Sequence, residues 1–117
     1  MANLKRHMIE LITEVKDGEL VTKKYLTPMF LPLSVVYEAI DLMAEMKNVN
    51  VNNEKEMIDK LLEFVADKAY GGQFTKEDLF KGLHAPDAMR ILQDQVLFVA
   101  RGDQNIETKS TWRKSVS

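Results

Sequence analysis

Few residues of this 117-residue chain have the chemistry of a catalyst, and those few are poorly placed for it. Only His7 and His84 offer an imidazole base. His7 lies near the N-terminus and His84 in the turn Gly82-Leu83-His84-Ala85-Pro86, where a general base has no evident partner to position it. Both read as solvated histidines. Ser110, Ser115 and Ser117 fall in a polar C-terminal stretch and Ser34 is explained as a helix cap, so a serine triad has no members to assemble. Cysteine is absent, which removes disulfides, thiolate metal sites and thiol nucleophiles together. Glu54, Glu56, Asp59, Glu63 and Asp67 can be drawn as a metal or acid–base cluster, and helical spacing brings Glu56, Asp59 and Glu63 near one another. Lys55 and Lys60 interleave with them, however, as on a solvated helix face, and a hard cation needs converging oxygens that one helix rarely supplies. No phosphate loop, dinucleotide fingerprint, His-Glu-x-x-His pair or calcium-loop spacing occurs. The expectation is a non-enzymatic chain with no catalytic, metal or cofactor-binding residues.

Nucleic acid is the next class to test. A net charge of -2 provides no general field for a phosphate backbone. One alternative stands in its favour: a short helix over 75–81, a turn at Gly82 and a helix from Pro86 have helix-turn-helix spacing, the pattern of a small DNA-binding regulator. The would-be reading helix opens on Pro86-Asp87, carries Arg90 as its only cation before Arg101, and presents Asp94 to the phosphates. Gln93 and Gln95 could read bases, but nothing beside them would hold the backbone. An ordinary helical hairpin accounts for the same residues, and no nucleic-acid partner is expected.

The elements that carry these residues follow from periodicity and punctuation. With 45% hydrophobic and 29% charged residues the composition is globular, and the length suits one domain. The reading is a mainly α fold of about four helices in a small bundle, with a short N-terminal β-hairpin over 8–26. Met8 to Val15 is rich in β-branched residues, Asp17-Gly18 provides a tight turn, and Glu19 to Leu26 returns; a short helix over 3–15 is the rival, because Leu4, Met8, Leu11 and Ile12 also fit helical spacing. A lone hairpin is marginal in water, so it must lean on the helices or pair with another chain. Ser34 is placed as the cap of a helix over 34–47, with Val35, Val36, Ala39, Ile40, Met43 and Met46 as its apolar stripe. A second helix spans 54–70 and stops at Gly71-Gly72; a third spans 75–81 behind the Thr75/Asp78 capping pair; a fourth spans 86–101. The domain is thus 1–101, and residues 102–117 form a polar tail expected to be mobile. No window is apolar for long enough to span a membrane and the N-terminus is polar, so a cytoplasmic protein is expected.

Surface chemistry remains. Pro28 and Pro32 bracket Met29-Phe30-Leu31, an apolar connector either clamped across the helices or docked on a neighbour. Val96, Leu97 and Phe98 belong to a run apolar almost all round, central to the core or covered by a second chain. Trp112 is a large ring in a polar stretch, suited to anchoring a partner. These seven residues are the candidate protein-interaction set.

In their order and local wording, the segments resemble the tail assembly chaperones of long-tailed bacteriophages, particularly those of Gram-positive hosts. The resemblance runs over about 8–101: a connector with prolines leads into Leu33-Ser34-Val35-Val36-Tyr37-Glu38-Ala39-Ile40-Asp41-Leu42. The acidic-apolar helix ends in Phe64-Val65-Ala66-Asp67-Lys68-Ala69-Tyr70-Gly71-Gly72-Gln73-Phe74-Thr75, and Lys76 to Leu83 leads to the last apolar helix. The resemblance implies a helical, non-catalytic subunit that self-associates and coats the aggregation-prone tape measure protein before tail tube subunits polymerise around it. A frameshifted longer form recruits the tube protein in that family. It implies action in the host bacterial cytoplasm and absence from the finished virion.

Overall fold

The computed structural model describes residues 5–102. Two antiparallel strands, β1 (Met8–Lys16) and β2 (Glu19–Leu26), precede the helices α1 (Ser34–Met46), α2 (Glu54–Glu63), α3 (Lys76–Gly82) and α4 (Ala85–Arg101). The mainly α expectation is therefore corrected to a mixed α/β fold: 54% of the described residues are helical, and a two-stranded antiparallel sheet stands at the N-terminal end. The sheet belongs to the core for a physical reason. Period-2 alternation puts Ile9 and Leu11 on the face of β1 that is turned inward, where both are buried, and α3 packs against this strand.

Asp17 and Gly18 adopt positive φ (52° and 80°), the left-handed conformations that let a two-residue turn follow the strand twist. Thr13 is bulged: Ile12 pairs with Thr22, but Glu14 pairs with Val21. Past the bulge the ribbon leaves the body, and every residue from Thr13 to Lys24 is exposed.

The connector enters α1 without a polar cap. Leu33, not Ser34, occupies the cap position and has no side-chain cap bond. The first amide hydrogens go instead to backbone, Val35 N–H to Pro32 O (3.0 Å) and Val36 N–H to Leu33 O (2.9 Å). Val35, Ala39 and Leu42 form the buried stripe of α1, and Ile40, expected on it, faces outward.

The helix expected over 54–70 changes winding at Phe64. Phe64–Ala69 is π-helical: Tyr70 N–H reaches Val65 O (3.0 Å), five residues back. The wider turn accompanies the burial of Phe64, Val65 and Ala66 in succession, followed by Ala69 and Tyr70. Gly71 and Gly72 at positive φ end it. The capping box of α3 is complete, with Asp78 N–H donating to Thr75 Oγ1 (3.0 Å) and Thr75 N–H to Asp78 Oδ2 (2.9 Å).

Gly82 fits helix against strand. A Cβ there would lie 3.1 Å from Ile12 O and 3.2 Å from Leu11 Cβ, both parts of β1 that move only with the sheet. Gly82→Val is expected to lower stability by about 1–3 kcal/mol through overpacking, measured as a shift in urea midpoint; an unchanged midpoint would show that the hairpin yields freely.

Candidate functional site

The proline-bracketed connector crosses from β2 to α1 beside the C-terminal end of α4. Between them lies a groove of about 300 Å³ lined by Lys5, Met29, Phe30, Leu31, Pro32, Val36, Phe98, Val99 and Gly102. Four candidates proposed from the sequence, Met29, Phe30, Leu31 and Phe98, thus come together although they derive from two distant segments. Their exposures differ in a way that sets their roles. Met29 and Phe30 are 75% and 68% exposed, whereas Leu31 is half-buried against the core and Phe98 is buried. Phe98 is held by a stacked His7 ring (centroids 4.8 Å apart, planes 12° apart), which fixes the groove wall. Val96 lies wholly in the core and Leu97 is half-buried; neither lines the groove. Trp112 lies outside the described residues.

Local hydrogen bonds hold the connector's start. Thr27 is buried, its N–H donating to His7 O (2.9 Å) while its Oγ1 accepts from His7 N–H (3.1 Å). Arg6 Nε donates to Thr27 O at 2.8 Å. Because Thr27 is anchored from both sides, the exposed Met29 and Phe30 are carried by a fixed backbone.

Sequence reasoning missed the extension of this surface along α1. Leu33, Tyr37 and Ile40, followed by Ala44, recur at spacings of four, three and four, which places them in one row on the helix surface. Leu33 and Tyr37 are 72% and 71% exposed. The helix therefore has two apolar stripes, one in the core and one outside, and the outer one has the spacing of a coiled-coil seam. The signal was legible: a helix apolar on more than one face has more to bury than its own core takes.

The acidic face of α2 is interleaved and paired with lysines. Lys76 Nζ lies 3.3 Å from Asp59 and 3.6 Å from Glu63, and Lys60 lies 2.8 Å from Glu45. The hydrogen bond to Glu45 and its negative charge hold the Lys60 ammonium above its ordinary pKa. Among the described residues no three acidic or imidazole groups converge as metal ligands, and no helix is long and apolar enough to cross a membrane.

The pair α3 and α4 does not present together the two glutamines that the helix-turn-helix alternative needs. Gln95, one of two residues weighed as base readers, is 3% exposed; its Oε1 accepts from Tyr70 Oη at 2.5 Å and its Nε2 donates to Met8 O at 3.4 Å. Arg90 is drawn toward Asp87 (3.5 Å) and Asp94 (3.9 Å) of its own helix. The Tyr70–Gln95–Met8 chain instead ties the π-helical segment, α4 and β1 together, a structural role that apolar periodicity does not reveal.

Residues 4–114, nearly the whole chain, match a family model described as phage tail chaperone protein. No curated protein and no solved structure matches.

Proposed function

The chain belongs to the phage tail chaperone family, and from that premise we propose that it binds the tape measure protein and keeps it soluble during tail assembly. The observation that supports this reading is the apolar groove between the connector and α4, continued by the outer stripe of α1. Its natural occupant is an amphipathic helix, whose apolar residues at three- and four-residue intervals match a groove flanked by a seam of the same period. The role needs no catalysis. In the proposed cycle the chaperone covers the client in the host bacterial cytoplasm, hands it to polymerising tail tube protein, and is not retained in the finished virion.

Co-expression of this chain with the tape measure protein tests the proposal. The client is expected in the soluble fraction and in a pull-down on the tagged chaperone. A client that stays insoluble and uncaptured at equal expression would sink the reading.

A further inference from the structure

We propose that the outer edge of β2 pairs with the same edge of a second copy, joining two hairpins into one four-stranded antiparallel sheet about a two-fold axis at Val21. This goes beyond client binding and uses a different part of the molecule.

The edge is open and regular. Thr27 N–H bonds His7 O, and Val21 O accepts from Thr13 Oγ1, so the odd-numbered residues of this strand direct their backbone groups toward β1. The even-numbered residues Leu20, Thr22 and Lys24 therefore direct theirs away from it. Gln73 Nε2 meets Leu26 O on that outer side at 2.7 Å, covering the strand's last residue. The preceding stretch of β2 is exposed except for the half-buried Tyr25. The opposite edge, on β1, carries the Thr13 bulge, which interrupts regular pairing.

Charge identifies the occupant. Glu19, Val21 and Lys23 share one face of β2. With the axis at Val21, Glu19 of each copy stands opposite Lys23 of the other, Val21 faces Val21, and the outward-directed Leu20 and Thr22 exchange backbone hydrogen bonds. An axis at Lys23 or Lys24 would set ammonium against ammonium. The edge is therefore self-complementary in an isologous register, and pairing also covers the unpaired backbone of a ribbon that has left the body.

The test uses the full chain. Sedimentation should show a reversible dimer. Lys23→Glu and Glu19→Lys each place like charges opposite one another twice, so each alone should weaken association on the order of tenfold. Mixed in equal amounts, the two variants should recover it, because every facing pair is again opposite in sign; far-UV circular dichroism checks that both fold. In this cysteine-free chain Val21→Cys should form an intermolecular disulfide under mild oxidation, since facing residues of a non-hydrogen-bonded pair have Cα atoms about 4.5 Å apart. Val51→Cys, in an exposed turn, should not. The proposal is overturned by a monomer at high concentration, by a dimer that Val21→Cys does not trap, or by an edge protected from amide exchange only when the tape measure protein is bound. That last result would assign the edge to a client strand. Because the readouts need no client, they fail or succeed independently of the chaperone reading.

Discussion

Replacing Met29 and Phe30 together by aspartate is expected to abolish capture of the tape measure protein while leaving the fold intact. Both side chains stand mainly in solvent on a backbone fixed by Thr27, so their loss removes little packing from the folded state. Exposed substitutions of this kind usually change stability by no more than about 0.5 kcal/mol. Binding responds differently. A helix seated in the groove would bury the new carboxylates against Leu31, Val36, Phe98 and Val99, with Lys5 as the cation of the lining. Loss of an apolar anchor costs about 2 kcal/mol or more at a hot spot, and desolvating a carboxylate adds to that. Affinity should fall at least about 100-fold, read by pull-down and by client solubility beside an unchanged thermal midpoint. Undiminished capture would place the client elsewhere.

Tyr70→Ala is expected to give the largest loss of stability, about 3–5 kcal/mol, the range for truncating a buried aromatic side chain. Tyr70 is fully buried, packs on Phe74 with ring centroids 5.2 Å apart, and donates to Gln95. Tyr70→Phe keeps the ring and strands Gln95 Oε1, at about 1–3 kcal/mol. Adding Gln95→Leu to Tyr70→Phe should cost less than the sum of the two single changes, because both partners of the hydrogen bond are then gone. A pH series separates the hydroxyl further. Burial pushes the Tyr70 phenol well above its ordinary value of 10.0. Above about pH 10 the unfolded chain therefore releases a proton that the folded chain retains, and stability falls as pH rises. Below that pH both states hold the proton and this contribution is constant. Tyr70→Phe should lack this alkaline component. Equal alkaline slopes in guanidinium melts of the two proteins would refute it.

The connector was legible because proline and adjacent apolar residues are strong punctuation, and the β-hairpin because Asp17-Gly18 separates two strand-like runs. The balance of the fold was not. Counting helices made the chain look mainly α, since alternation in a nine-residue strand does not announce that Ile9 and Leu11 complete the helices' core. The turn at Phe64 was hidden for a related reason. Ala69 and Tyr70 are both apolar, so the pattern suits closure at four residues and at five equally well. On α1, Ile40 reads as inward because three- and four-residue spacing identifies a face without saying which of two faces meets the core. Gln95 looked available because a glutamine on a helix is usually solvated; only its long-range partner, Tyr70, shows otherwise. Trp112 lies outside the described residues.

The contact between Lys5 and Gly102 has a practical consequence. Lys5 and Gly102 both line the groove, and Lys5 Nζ donates to Gly102 O at 3.4 Å. Gly102 closes α4 in the left-handed conformation, with its N–H bonded to Phe98 O at 2.7 Å. A module fused by a short flexible linker after Gly102 thus starts at the groove's mouth. Its encounter with anything seated there becomes intramolecular, at an effective concentration of about a millimolar. A weak second contact delivered from this point would act as a latch on the bound helix.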